Sequence, residues 1–253
     1  MSKQVPGKVA FITGANKGIG NETARGLGKL GVAVVIGSRE EARGRAAADK
    51  LRFEGIERVE AVRFDVTRPE DHQEVARRLE ERYGKLDILV NNAGVELEGA
   101  DFAAGRFNTT STVTPEILRQ TFETNFFSVV ALTQALLPLL RKAPAGRIVN
   151  LSSILGSLTL HSDPSSDIYD KKAFAYDASK TALNAFTVHL AQELRGTKIK
   201  VNSAHPGWVK TELGGSAAPL DLSEGGRTSV QLATLPDDGP TGGYFHLGEP
   251  LPW

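Results

Sequence analysis

A tyrosine and a lysine four residues apart, Tyr176 and Lys180, are the pair in this chain best suited to proton transfer. The sequence 178–194 contains no Gly or Pro and is rich in helix-forming residues, which predicts a helix. This spacing places both side chains on one helix face, about one turn apart. A nearby ammonium favours a phenolate and lowers the phenol pKa, so this tyrosine could exchange a proton with an alkoxide or an alcohol. The alternative is a core tyrosine beside a solvated lysine.

The composition predicts one large soluble domain. Of the 253 residues, 40% are hydrophobic and 24% are charged, and 30 Lys and Arg balance 30 Asp and Glu. Without net charge or a basic stripe, binding to nucleic acid or to an anionic membrane has no electrostatic support. The absence of Cys excludes disulfides, thiol catalysis and Cys-ligated zinc, and it suits the cytoplasm. The five histidines show no HxxH or HExxH pairing, so we expect no metal site.

Membrane and export signals are not expected either. The apolar stretch 128–140 is too short and too polar to span a bilayer, and a Pro-Gly pair interrupts the first residues before any long apolar region.

Strand and helix patterns alternate along the chain. Short apolar, β-branched runs predict strands at residues 8–13, 32–36, 59–66, 86–94, 147–153, 198–207 and 242–250. Helical patterns lie between them at residues 21–30, 40–55, 70–84, 115–140 and 178–194. This order predicts an α/β fold, a doubly wound parallel sheet of the Rossmann type with helices on both faces. We expect residues 1–253 to form a single domain, with a cofactor half at about 1–110 and catalytic and substrate elements at about 111–253.

Three glycines, Gly14, Gly18 and Gly20, lie where the first strand turns into the first helix. Such a turn needs a glycine for the bend, a second for close backbone approach to a pyrophosphate, and a third for helix–sheet packing. The helix N-terminus offers free N–H groups to the phosphates. The spacing GxxxGxG meets the dinucleotide fingerprint only loosely, and a purely structural turn is the alternative. A Walker A loop is excluded because Gly-Lys-Ser/Thr does not occur.

The end of the second strand selects between NAD and NADP. An NAD site has a carboxylate there for the ribose 2′-OH, whereas an NADP site has a cation for the 2′-phosphate. Ser38 stands at the expected acidic position and Arg39 follows it, while Lys17 adds a positive charge from the glycine turn. Glu40 is assigned to the next helix. Two cations and no acid at this corner predict NADP (NADPH) as the cofactor.

Polar and small residues follow the third and fourth strands. Asp65 could accept a hydrogen bond from the adenine amino group, and a surface turn residue is the alternative. The sequence 91–94, Asn-Asn-Ala-Gly, ends the fourth strand at the edge where open α/β sheets bind ligands. Its small residues would let the adenosine ribose lie against the backbone.

Taken together, these motifs resemble the short-chain dehydrogenase/reductase family. The matching positions run from residue 8 to about 213 and are Thr13, Gly14, Gly18, Gly20, Asp65, 91–94, Asn125, Ser153, Tyr176, Lys180, Pro206 and Gly207. The sequences GANKGIG, TNFF, RIVNLSS and HPGWVKTEL are most similar to the NADP-dependent, carbonyl-reductase-like branch. That resemblance implies reduction of ketones or aldehydes by NADPH.

The resemblance also implies residue roles. Tyr176 would protonate the carbonyl oxygen, Lys180 would lower the Tyr176 pKa and hold the nicotinamide ribose, and Ser153 would hydrogen-bond the substrate oxygen. Asn125 would anchor a water chain to Lys180, although a local helical hydrogen bond is the alternative. Residues 206–211 would close over the cofactor. The implied cofactor contacts are Gly14, Asn16, Lys17, Gly18, Ile19, Gly20, Ser38, Arg39, Asp65, Val66, Asn92, Ala93, Gly94, Tyr176, Lys180, Pro206, Gly207, Val209 and Thr211.

The gap of 23 residues between Ser153 and Tyr176 is wider than in the plainest family members. We expect a substrate-facing loop at 154–175, with Ile168, Tyr169 and Phe174 towards the substrate, and a disordered insertion is the alternative. The pocket walls are expected at 95–113, 154–175 and 212–230, all loop-like. Apolar candidates there are Val95, Leu97, Phe102, Leu155, Leu158, Trp208 and Leu213, which favour a bulky apolar ketone.

Three other functions remain open from the sequence. These are the same chemistry run as an NADP-dependent alcohol dehydrogenase, an NADP-binding redox sensor without turnover, and a macromolecule-binding scaffold. Intact Tyr176 and Lys180 disfavour the sensor, and the neutral charge disfavours the scaffold. A small-molecule substrate is the expected partner. The helix at 178–194 carries small alanines that would suit a dimer face, so a dimer or tetramer is expected if the 154–175 segment leaves it open, and a monomer if it does not.

Overall fold

The computed structural model describes residues 7–99 and 110–253. The strands are β1 Val9–Ile12, β2 Ala33–Ser38, β3 Val59–Arg63, β4 Ile88–Asn91, β5 Arg147–Leu151, β6 Lys200–Ala204, β7 Tyr244–His246 and β8 Glu249–Pro250. They form one sheet in the order β3-β2-β1-β4-β5-β6-β7-β8. Every pairing is parallel except that of β7 with β8. The strand order reverses between β1 and β4, which is where doubly wound sheets open a ligand crevice at their carboxyl ends.

Helices cover both faces of this sheet. They are α1 Gly18–Lys29, α2 Glu41–Phe53, α3 Pro69–Tyr83, α4 Pro115–Phe122, α5 Ser128–Lys142, α6 Leu158–Ser162, α7 Phe174–Glu193 and α8 Arg227–Ala233. Both faces of the central strands are apolar. Alternate residues of β1 therefore pack in different hydrophobic clusters, one on each face of the sheet. Phe11 packs in the cluster that includes α3 and α5, whereas Ile12 packs in the cluster that includes α1 and α2. The predicted single-domain, doubly wound parallel fold is therefore confirmed.

The helix predicted at 115–140 is continuous from Pro115 to Lys142 but contains a π-helical segment, Glu123–Phe127. By length and composition alone this helix could cross a membrane. However, Leu132, Leu136 and Leu139 are buried in the sheet-facing core, and core helices of globular proteins meet the same criterion. The π segment is the functionally relevant feature, since it contains Asn125.

Three local predictions differ from the structure. Helix α7 begins at Phe174 instead of 178, so Tyr176 lies within its first turn. The last predicted strand is a hairpin of β7 and β8, because Gly248 at φ 93° turns the chain back. The stretch 212–230, predicted to be loop-like, contains a 3-10 turn and the start of α8.

Candidate active site

A cavity of about 750 Å³ opens at the carboxyl ends of the strands. Nineteen of the residues predicted as site residues line it, namely Gly14, Asn16, Lys17, Gly18, Ile19, Ser38, Arg39, Asp65, Val66, Asn92, Ala93, Gly94, Ser153, Tyr176, Lys180, Pro206, Gly207, Val209 and Thr211. Gly20 and Asn125 lie behind the lining. The sequence motifs, which are up to 197 residues apart, thus converge on one cleft.

Tyr176 and Lys180 lie one turn apart on α7, as predicted. The Lys180 ammonium donates to the Leu151 carbonyl at 2.8 Å and lies 5.6 Å from the centre of the Tyr176 ring. Both residues are buried, at 8% and 4% exposure. Contact with the end of β5 therefore fixes the position of the ammonium relative to the phenol.

The direction of the Tyr176 pKa is opposite to the sequence prediction. Burial raises the pKa of Tyr176 to about 12, the Ser153 hydroxyl acts to lower it, and negative charge on the acids Asp177 and Glu96 raises it further. Burial also lowers the pKa of Lys180 to about 8, since an enclosed ammonium loses hydration. The expectation that Lys180 lowers the Tyr176 pKa towards neutrality is wrong for this structure, because desolvation of the phenolate dominates. The phenol keeps its proton at neutral pH and is therefore available as an acid.

Asn125 is fully buried and connects the end of β4 to α7. Its side-chain Nδ2 donates to the Val95 carbonyl at 2.8 Å and to Ser179 Oγ at 3.0 Å, while Oδ1 accepts from Val95 N at 2.8 Å. A methyl group added at Gly94 would lie 3.4 Å from both Asn125 Oδ1 and Lys180 Nζ. Because the partners of the Asn125 side chain are distant in sequence, the alternative of a local hydrogen bond within its own helix is wrong. The predicted water chain to Lys180 stays a prediction.

The glycine turn is shaped for a phosphate group. Gly14 and Gly18 have φ values of 63° and 61°, which glycine adopts without strain. The space around a Cβ at Gly18 is open, and no side chain caps the N-terminus of α1. The first N–H groups of α1 therefore face the cavity without a side-chain acceptor, as a bound phosphate requires.

The turn is also held rigidly against β4. Asn92 Nδ2 donates to the carbonyls of Thr13 at 2.7 Å and Gly14 at 3.2 Å. Thr13 Oγ1 accepts from the backbone N–H groups of Asn92 at 3.0 Å and Ala93 at 2.9 Å. A Cβ at Gly20 would lie 2.4 Å from Asn92 Nδ2, so this glycine is required for close packing, as the sequence indicated.

The corner after β2 contains more charges than the sequence suggested. Arg39 lines the cavity as predicted, and Arg43 from α2 joins it. Ser38 is buried, and its hydroxyl donates to the Glu40 carbonyl at 2.8 Å. Glu40 also lines the cavity and pairs with Arg43 at 2.9 Å, so the expectation of no acid at this corner is wrong. Glu40 and Arg43 are three residues apart, and the first turn of a helix brings such residues together. Sequence reasoning assigned Glu40 to the helix and missed this contact.

Two further contacts fix the nucleotide end. Asp65 Oδ1 accepts from Thr67 N at 3.0 Å and Thr67 Oγ1 at 2.8 Å, so it closes a turn and lines the cavity as well. Although burial opposes it, these hydrogen bonds lower the Asp65 pKa. Lys17 forms an ion pair with Glu212, which links the glycine turn to the segment after Gly207.

The segment 154–175 is folded, which contradicts the alternative of a disordered insertion. It contains the 3-10 turn Ile154–Gly156 and helix α6, and Leu155 and Ile168 pack against Tyr176. A Cβ at Gly156 would lie 2.9 Å from Lys180 Cβ, so this turn packs directly on α7.

The prediction of the residues that form the substrate walls is only partly correct. Of the apolar candidates, Val95, Leu155, Ile168, Trp208 and Leu213 line the cavity. Tyr169, Phe174, Leu97 and Leu158 are exposed and do not line it, because they face outward on their turns and helices. Phe102 lies outside the described residues.

Sequence reasoning missed two acids at the start of α7. Glu98 is buried, and its Oε2 accepts from the Tyr176 backbone N–H at 3.0 Å. Asp177 Oδ2 accepts from Ala173 N at 3.0 Å and lies 3.4 Å from His161 Nε2. Burial is the main cause that raises the pKa of Asp177 to about 8. An acid in the first turn of a helix is a recognisable capping signal for Asp177, whereas Glu98 is 78 residues away and gives none.

Comparisons with known proteins agree with this geometry. A family model described as short chain dehydrogenase matches residues 8–219. Carbonyl reductase [NADPH] 1 of Mus musculus is 32% identical, covering 97% of this chain and 98% of its own. Salutaridine reductase of Papaver bracteatum is also 32% identical, covering 96% and 95%. The crystal structure of an NADPH-bound carbonyl reductase from chicken fatty liver superposes with a TM-score of 0.83 at 26% identity, covering 98% and 100%.

Proposed function

Because the chain belongs to the short-chain dehydrogenase/reductase family of oxidoreductases, we propose that it reduces a ketone or aldehyde to an alcohol with NADPH. The observation that carries this proposal is the phenol of Tyr176, which is protonated at neutral pH, lines the cavity and lies beside the Lys180 ammonium. Relatives named as NADPH carbonyl reductases support the same chemistry.

The proposed roles follow from the chemistry of each side chain. NADPH, when bound, supplies the hydride to the carbonyl carbon. Tyr176 donates its phenolic proton to the carbonyl oxygen, on which negative charge develops. Ser153 hydrogen-bonds the same oxygen, and Lys180 offsets the charge left on the phenolate and holds the ribose hydroxyls. Asn125 keeps the end of β4 in register with α7 and so positions Lys180.

The cavity suits NADP. The uncapped N-terminus of α1 and the open space at Gly18 fit the pyrophosphate. Lys17, Arg39 and Arg43 supply three cations for a 2′-phosphate, although Glu40 partly offsets them. Since Lys17 pairs with Glu212 and Arg43 pairs with Glu40, Arg39 is the cation left to favour a phosphate dianion over a neutral hydroxyl.

The second candidate, an NADP-dependent alcohol dehydrogenase, needs the same residues in the reverse direction. Oxidation requires Tyr176 to accept a proton, hence to be a phenolate beforehand. A phenol whose pKa is raised to about 12 is almost fully protonated at neutral pH, which is the form that reduction requires and oxidation does not. Oxidation should gain on reduction as the pH rises.

The experiment that tests the proposal follows NADPH absorbance with aryl, cyclic and keto-ester substrates and quantifies the alcohol formed. We expect one alcohol for each NADPH consumed. Tight NADPH binding without turnover across the panel would favour the redox-sensor alternative. A cytoplasmic location and a homo-oligomer remain predictions, and size-exclusion chromatography with light scattering tests the latter.

A further inference from the structure

A lysine from the 154–175 segment lies at the substrate end of the cavity. Lys171 lines the cavity, and its ammonium lies 5.7 Å from the centre of the ring of Trp208, another lining residue. Its backbone N–H donates to the Ile168 carbonyl at 3.0 Å, and Ile168 packs in the same cluster as Tyr176. The backbone that carries this ammonium is thus fixed beside the cluster that contains the proposed proton donor.

The carboxylates that line the cavity lie at one of its ends. Among the described lining residues, the carboxylates are Glu40, Asp65 and Glu212. Glu40 and Asp65 follow β2 and β3, and Glu212 pairs with Lys17 of the glycine turn, so all three belong to the nucleotide end.

At the substrate end, the lining residues with formal charge in this part of the chain are Lys171 and Lys180. Lys180 is bonded to the Leu151 carbonyl, whereas no carboxylate of residues 7–99 or 110–253 pairs with Lys171 within 4.0 Å. Of its two shown contacts, Trp208 is aromatic and Ile168 is apolar, and the apolar Leu155 and Leu213 also line the cavity.

An ammonium beside apolar walls loses part of its hydration, and a contact with an indole face replaces only part of it. A substrate anion would complete this environment. We propose that Lys171 recognises an anionic group on the substrate, and that the substrates are carbonyl compounds with an apolar body and a carboxylate or similar anion. This inference rests on the proposed carbonyl reduction and narrows its substrate class.

The test compares three aryl ketones of similar shape, 4-acetylbenzoate, methyl 4-acetylbenzoate and 4-acetyl-N,N,N-trimethylanilinium, at saturating NADPH. We expect kcat/KM of the wild type to favour the carboxylate over the ester by about fivefold, as for a partly exposed ion pair. This preference should shrink when the salt concentration is raised from about 0.05 M to about 0.5 M.

Substitutions at Lys171 then separate charge from shape. Relative to the wild type, Lys171→Met should lower the carboxylate-to-ester ratio about fivefold, Lys171→Arg should retain it, and Lys171→Glu should raise the ratio of the trimethylammonium ketone to the carboxylate. Lys210→Met is the matched control, because Lys210 is an exposed lysine that pairs with Asp221 outside the cavity lining. The control should keep the wild-type ratio.

The two failures are distinguishable. Reduction of the ester by the wild type without a preference for the carboxylate, or a preference that survives in Lys171→Met, would overturn the inference and leave carbonyl reduction standing. A wild type that binds NADPH but reduces none of the three ketones would overturn both.

Discussion

Thr13 provides a measurable link between the glycine turn and β4. Its hydroxyl oxygen accepts from Asn92 N at 3.0 Å and Ala93 N at 2.9 Å, and the residue is 2% exposed. Thr13→Val replaces this hydroxyl by a methyl group of nearly the same shape. Asn92 N keeps a second acceptor, the Val90 carbonyl at 3.1 Å, so the principal loss is the bond to Ala93 N. A buried N–H without its acceptor costs about 1–3 kcal/mol, and because the bond to Ala93 N is only part-buried we expect a loss of up to about 2 kcal/mol.

For a chain of this size, a loss of about 2 kcal/mol lowers the Tm by about 4–8 °C. Thermal unfolding and titration of NADPH, on the wild type and on both Thr13→Val and Thr13→Ser, measure the effect. Thr13→Ser retains the acceptor and loses one buried methyl, so it should be less destabilised and should bind NADPH more tightly than Thr13→Val. If Thr13→Val melts with the wild type, or if Thr13→Ser is the less stable variant, the hydroxyl does not link the two elements as described.

Two further predictions concern the cofactor and pH. Arg39→Asp should lower the NADPH-to-NADH ratio of kcat/KM by about tenfold, since it replaces a cation by an anion near the 2′-phosphate. Arg45→Asp, on an exposed face of α2 outside the cavity lining, should not lower it, and equal ratios for both variants would contradict the assignment. As pH rises from about 4 to 8, the free energy of unfolding of Asp177→Asn should increase relative to that of the wild type. A pKa raised to about 8 keeps the folded carboxyl protonated while the unfolded one ionises, so wild-type stability falls over this range. Urea unfolding of both proteins at pH 5 and pH 8 measures this difference in the free energy of unfolding. The same difference at both pH values would refute the prediction.

The sheet was predictable from the sequence because its central strands are buried on both faces. Residues 9–12 and 88–90, within the predicted strands 8–13 and 86–94, are wholly apolar, and they form β1 and most of β4 at the centre of the sheet. The start of α7 was not predictable in the same way. Acceptors from Glu98 and Asp177 stabilise its first turn, and the Glu98 contact comes from a distant part of the chain. The tertiary fold, more than local propensity, determines where this helix begins.

The identity of the residues around the cavity was easier to predict from the sequence than their pKa values and charge environments. Short motifs such as Tyr176-x3-Lys180 place side chains at known positions on a sheet edge or a helix. The pKa of Tyr176 depends on how completely the fold encloses it, and no local pattern reports that. The same holds for Lys171, whose significance comes from Trp208, a residue that only the fold brings near it.

The substitution Tyr176→Phe tests most directly whether Tyr176 supplies the proton in carbonyl reduction. NADPH affinity and kcat should be measured on the wild type, on Tyr176→Phe, and on Tyr169→Phe as a matched control outside the cavity lining. We predict that Tyr176→Phe binds NADPH nearly as well as the wild type and loses at least about a hundredfold in kcat, while the control keeps its turnover. Turnover retained in Tyr176→Phe would show that another group donates the proton and would contradict the account.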